Sequence, residues 1–158
     1  MPEGFSDALL SWYDAHARTL PWRGIRNAYC TWVSETMLQQ TRVETVLSYY
    51  ERFIRRFPDV RSLAEAPLEE VLKLWECLGY YRRAANLHRG AQQVMAEYGG
   101  KVPGDAAALR KISGIGDYTA GAIASIAFDQ QVPAVDGNVI RVVSRVRGIS
   151  GNSSASPA

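Results

Sequence analysis

Cysteine is scarce: the 158 residues hold two, Cys30 and Cys77, far apart and with no close-spaced metal pattern around them. Both are expected as buried thiols in apolar helical surroundings rather than as a disulfide or a metal site. Long apolar runs are missing, and the N-terminus lacks the basic-then-apolar pattern of a secretion signal, so the chain reads as soluble and intracellular, with no membrane partner. Charge of one sign is also missing. A formal net charge of +2 does not establish a nucleic-acid partner, and local arrangement must carry any such claim. Strand-like alternation and internal repeats are absent too, which excludes β and solenoid architectures.

What remains is helical periodicity. With 47% hydrophobic residues the chain can bury one core and is expected to be nearly all α. Phe5, Leu9, Trp12, Tyr13 and His16 share one stripe. A second helix is expected from about Thr31 with Trp32, Val33, Met37 and Leu38, and a third from Thr41 to Phe57, stopped by Pro58. Pro67 opens a stripe of Leu68, Val71, Leu72, Trp75 and Leu78 that Gly79 closes. The next helix runs through Leu87 and Val94 to Gly99-Gly100. A short helix near 105–111, one from Tyr118 to Phe128 and one from about Gly137 to Arg147 complete the set. His16 and His88 fall on or beside apolar faces and are read as packed. Residues 151–158 are Gly, Asn, Ser, Ala and Pro and cannot order themselves by burial.

The segment Leu109–Gly121 places Gly114 and Gly116 on either side of one apolar residue, between two helices. The glycines leave backbone amides unobstructed, so a phosphate can approach the start of the second helix. Asp117 or Thr119 stands where either could cap that helix. A plain glycine turn is the other reading.

With Val135-Asp136-Gly137-Asn138-Val139-Ile140-Arg141-Val142 following it, this hairpin resembles the helix-hairpin-helix DNA glycosylase superfamily. Leu20-Pro21-Trp22-Arg23, the run Trp32–Val43 with Gln39-Gln40, and Leu78-Gly79-Tyr80-Tyr81 look like its adenine DNA glycosylase (MutY) branch. The resemblance covers about residues 5 to 150. It implies an all-α helix-hairpin-helix glycosylase fold, truncated, with an incomplete catalytic region over 1–150 and a tail or cut end over 151–158. The implied activity is that of a monofunctional adenine DNA glycosylase of base excision repair, which flips adenine out of a pair with 8-oxoguanine or guanine and hydrolyses its N-glycosidic bond. The implied partner is double-stranded DNA carrying that mismatch, met by a monomer, in nucleus or mitochondrion of a eukaryote or the cytoplasm and nucleoid of a bacterium.

Breaking that bond asks for an acid near the base and negative charge near a sugar that becomes oxocarbenium-like. Glu35 interrupts an apolar helix, where desolvation favours its protonated form; Asp136 enters a helix from an extended turn. For each, a capping or salt-bridged carboxylate is the alternative. By resemblance, Glu35 protonates the leaving adenine and helps activate water, Asp136 stabilises or transiently captures the cationic sugar, and Asn138 holds the surroundings of Asp136. Tyr118 stands where strand-cutting relatives carry a Schiff-base lysine, and Ile140 stands at the lysine position of some bacterial members. The resemblance also assigns Gln40 and Tyr80 to wedging the duplex, against a solvated helix end and a core tyrosine, and Arg18 and Trp22 to the extruded adenine, against a surface pair. Arg82, Arg83, Arg141 and Arg145 are phosphate partners or a solvated face. Carbonyls of Arg110, Ile112 and Ile115 are implied ligands of a monovalent cation.

Departures are Ser113, Ala28 and Cys77 at positions the family fills differently. The family also carries an iron–sulfur (4Fe-4S) cluster and a lesion-reading domain, both expected beyond residue 158, so no cofactor is expected in this chain. Phe5, Leu9 and Trp12 are accordingly expected to be poorly covered. A thymine-mismatch glycosylase and a weakly active or inactive DNA-binding fragment are the competing readings.

Overall fold

The computed structural model describes residues 3–149, and the tail assigned to 151–158 lies outside them. All regular structure among the described residues is helical, as the periodicity predicts. The chain divides into two compact units: Pro21–Ala134, and Met1–Leu20 together with Val135–Ala158.

The larger unit is organised around α2 (Ala28–Leu38). Asn27 starts it, its side-chain oxygen accepting the Cys30 amide at 3.0 Å, so the helix begins before the expected Thr31. Residues Tyr29 to Ser34, Thr36 and Met37 are all buried, and a helix covered on every side must be enclosed by others. Around it pack α3 (Val43–Arg56), α6 (Arg82–Tyr98) and α8 (Asp117–Phe128).

Two short helices complete the wall against α6. The first, α4 (Val60–Glu65), is absent from the periodicity reading; it is set by a capping box in which Asp59 accepts the Ser62 amide at 2.8 Å while Ser62 Oγ accepts the Asp59 amide. Hydrogen bonding to the Asp59 carboxyl by the Ser62 amide, and next by the Ser62 side chain, holds it below its ordinary pKa. The second, α5 (Leu68–Leu74), ends before the expected Leu78, and the chain turns through Trp75 to Gly79 instead. Phe53 and Trp75 meet edge-on at 5.9 Å, and Phe53 and Phe57 at 5.1 Å, all three fully buried. His88 is packed as expected, its Nε2–H donating to the Ala66 carbonyl at 2.9 Å. Cys30 is buried, whereas Cys77 is exposed and in the left-handed region (φ 69°): the turn after α5 takes it out of the apolar stripe that sequence periodicity assigned to it.

A final short helix, α7 (Ala106–Leu109), is capped by Asp105 and leads into the glycine turn before α8. Along α8 the Gly121 position is closed from outside: a β-carbon there would lie 2.2 Å from the Pro133 carbonyl oxygen. The smaller unit contributes α1 (Phe5–His16) and α9 (Gly137–Val146), neither with a buried residue. Leu9 and Trp12 are exposed and Phe5 is half covered, as the sequence leads one to expect. His16 is exposed rather than packed, stacked on Trp12 at 5.1 Å.

Gly121→Ala should therefore lower stability by about 1–3 kcal/mol in urea unfolding, although alanine is the better helix former by about 1 kcal/mol. A stabilised variant would mean that the Pro133 segment does not hold its place over α8.

Candidate active site

The hairpin is built by close approach to α6. Gly114 has φ 82°, and a β-carbon on it would come within 2.8 Å of Asn86 Cβ; one on Gly90 would come within 2.7 Å of both the Ser113 carbonyl oxygen and the Trp32 ring. Gln93 fastens the turn from the same helix, accepting the Ser113 amide and donating to the Lys111 carbonyl, each at 3.0 Å. Inside the turn, the Ile112 carbonyl accepts the Ile115 amide at 3.1 Å, and both isoleucine side chains are buried. Arg110, the third residue whose carbonyl is implied for the cation, uses its side chain in an exposed ion pair with Asp117 at 2.8 Å.

No side chain caps α8, which starts from Gly116 in an extended conformation. Neither expected cap is made: Asp117 turns to Arg110, and Thr119 is buried with its hydroxyl accepting Gln39 Nε2 at 3.3 Å. The start of α8 thus carries no side-chain cap, and beside it a β-carbon on Gly116 would meet nothing within 4 Å, which leaves that side open to approach. Tyr118, half-buried, lies on the first turn of this helix.

Glu35 is the one charged residue of α2. It is half-buried, between Ser34 and Thr36, which are buried and return their hydroxyls to backbone carbonyls of their own helix. Its carboxyl group is thus held on a rigid, enclosed element that also packs against α8.

Beyond α2 the chain enters the left-handed region at Gln40 (φ 57°), and it does so again at Tyr80 (φ 50°) after Gly79 (φ 78°). Non-glycine residues hold such angles only where surroundings impose them, at about 1–3 kcal/mol each. Both side chains are exposed, so Tyr80 is not a core residue. Arg83 lies between the two turns. Its guanidinium donates to the carbonyls of Thr36, Met37 and Gln39, to Thr41 Oγ1 and to the Gly79 carbonyl. It also sits over the Trp75 and Tyr80 rings at 5.5 and 5.4 Å. Burial pulls its pKa below the ordinary arginine value, opposed by Tyr80. Arg83 is therefore turned into the protein and not out toward phosphate, because its donors are engaged by backbone that would otherwise lack partners. Arg82 is exposed.

Trp22 is buried, edge-on to Tyr50 at 5.2 Å, which fixes its ring. In the smaller unit Arg18, Arg141 and Arg145 are exposed. There Asp136 caps α9, Oδ1 accepting the Val139 amide at 2.8 Å and Oδ2 accepting Asn138 Nδ2 at 3.0 Å. Its charge sits at the positive end of the helix dipole. Sequence reasoning missed Gln93 and the inward role of Arg83; an arginine three residues after Tyr80 and a glutamine nearly three turns further along α6 are ordinary surface residues by pattern alone.

Residues 33–158 match the HhH-GPD superfamily of base excision DNA repair proteins, and the chain belongs to it. It is 53% identical to the adenine DNA glycosylase of Mus musculus over 154 residues, 92% of this chain and 30% of that protein. The corresponding figures for the Homo sapiens adenine DNA glycosylase are 50% over 160 residues, 96% and 29%. The chain thus spans about 30% of the length of these relatives. Among solved structures, a thermostable thymine-DNA glycosylase superposes with a TM-score of 0.84 at 29% identity, over 89% of this chain and 65% of that one. No helix among the described residues is long and apolar enough to cross a membrane, and none of their His, Cys, Asp and Glu side chains gather in threes that could hold a metal ion.

Asparagine caps a helix about as well as aspartate, so Asp136→Asn should change stability by less than about 0.5 kcal/mol while Asp136→Ala costs about 1 kcal/mol, read from urea unfolding. Equal losses for the two would show that charge rather than capping holds the start of α9.

Proposed function

We propose that this chain carries the base-removing chemistry of a monofunctional adenine DNA glycosylase, acting on adenine opposite 8-oxoguanine or guanine in double-stranded DNA. The observation that carries the reading is Glu35, the one charged residue of α2, whose neighbours from Tyr29 to Met37 are all buried. Only the acid form of such a carboxyl group can give a leaving base its proton. The names of the curated relatives and the chain's likeness to them over nearly its whole length support adenine as that base.

In this reading the carbon–nitrogen bond to adenine breaks as Glu35 transfers its proton to the base, and the bonding electrons leave with it. The sugar becomes cationic and is met by the carboxylate of Asp136, whose orientation Asn138 and the Val139 amide fix. Water then adds to the sugar carbon, and its proton passes to the Glu35 carboxylate, restoring the acid. Tyr118 and Ile140 carry no amine, so no Schiff base forms and the strand is left intact. Gln40 and Tyr80 enter the duplex where adenine is extruded, Trp22 and Arg18 receive the base, and the start of α8 with Gly114 and Gly116 holds phosphate, with Arg82 and Arg141 supplying charge. The enzyme works as a monomer. The carbonyls of Arg110, Ile112 and Ile115 are assigned to a monovalent cation. A 4Fe-4S cluster finds no ligand set among the described residues, with one cysteine buried and one exposed; in this reading its cysteines lie beyond residue 158, and no step depends on it.

Glu35→Gln should abolish adenine release in single-turnover assays on an A:8-oxoguanine duplex while duplex binding stays within a few-fold. Strand breaks in the unsubstituted protein's reaction should appear only after alkali. Near-normal release by the variant would remove Glu35 from the chemistry.

A further inference from the structure

Gln40 and Tyr80 are both exposed, both in the left-handed region, and on different turns, one after α2 and one before α6. A pair of such residues has no reason to keep a fixed separation unless something ties the turns together. One side chain does so. Arg83 donates to the carbonyl before Gln40 and to the hydroxyl after it, those of Gln39 and Thr41, and to the carbonyl before Tyr80, that of Gly79. Its guanidinium lies over the Tyr80 ring, and its backbone amide donates to the Tyr80 carbonyl at 2.9 Å. Further ties close the frame: Thr41 Oγ1 also donates to the Gln39 carbonyl, and Trp75 Nε1 donates to the Gly79 carbonyl at 3.1 Å. Gln39 itself reaches Thr119 on α8.

We infer that Arg83 is a positioning residue that locks Gln40 and Tyr80 into one rigid pair, so that both enter a duplex together. It acts through those two side chains, not by touching DNA. The planar fork is what the role requires, because a lysine ammonium cannot reach two backbone carbonyl sets and a hydroxyl while stacking on a ring. The DNA part of this inference rests on the function proposed above; the locking of the two turns does not.

The test uses the full chain with Arg83→Lys, which keeps the charge, and Arg83→Ala with guanidinium ion added well below denaturing concentrations. Three readouts separate the possibilities. Amide exchange at 39–41 and 79–81 should speed up by about tenfold or more in Arg83→Lys, as expected for loss of charge-assisted hydrogen bonds. Duplexes carrying 2-aminopurine beside 8-oxoguanine should show a fluorescence rise on binding the unsubstituted chain, a rise largely lost in both variants and partly recovered in Arg83→Ala by guanidinium. The slope of log binding constant against log salt should stay unchanged. A slope smaller by about 1, with exchange and fluorescence unaltered, would make Arg83 a phosphate contact and overturn the inference. Unchanged exchange at both turns overturns it in any case. If the unsubstituted chain gives no fluorescence rise on any duplex, the proposed function and the DNA role fall together, and exchange alone then decides whether Arg83 locks the turns.

Discussion

A helix buried on every side has to end, and the carbonyls of its last turn have no partners within the helix. For α2 that end is where the fold is decided. Water cannot reach those carbonyls freely, because α3, α6 and α8 enclose the helix. Arg83, from the first turn of α6, takes up the carbonyls of Thr36, Met37 and Gln39, and in doing so ties the end of α2 to the start of α6 and to the Gly79 turn. An unpaired buried carbonyl costs about 1–3 kcal/mol, so one side chain carries much of what allows α2 to be central. Arg83 Nε is itself buried without a partner, which measures how fully the geometry is subordinated to the other donors.

The hairpin depends on the same helix from its far side. Gly90 lets the Ser113 backbone and the Trp32 ring of α2 meet over α6, and Gln93 pins the turn next to them. The position of α8, with its uncapped start and Tyr118, follows from that docking and from Gln39 reaching Thr119. Glu35 is thus held on an element whose two ends and three sides are specified by neighbours. Rigidity of that kind is what acid catalysis asks of a proton donor, because misplacement by about 1 Å can cost a hundredfold in rate.

Amphipathic helices were legible in the sequence because half-burial leaves a 3.6-residue pattern: α3 and α6 fall where their stripes put them. The start of α2 was not, since a helix apolar all round has no stripe, and its signal is the Asn27 cap. Six residues of α4 are too few for a period, although the Asp59–Ser62 spacing announces its start. The glycine turn and the capping of α9 by Asp136 could be read directly, because backbone conformation and caps are local properties. Arg83 could not be read, since whether an arginine faces in or out depends on carbonyls some forty residues away in the chain. Cys77 was misplaced for the related reason that α5 stops at Leu74, and a stripe does not reveal where its helix gives way to a turn.

The central proposal is that a carboxyl group on a buried helix, with a hairpin beside it, removes adenine in particular. The superposition with a thymine-DNA glycosylase shows that the same fold also serves another base in a relative. Free-base release decides between them most directly: incubate the protein with duplexes holding adenine opposite 8-oxoguanine, adenine opposite guanine, and thymine opposite guanine, and identify the released base by chromatography. Adenine from the first two and no thymine from the third is the predicted result. Release of thymine in preference to adenine would assign the site to the other base.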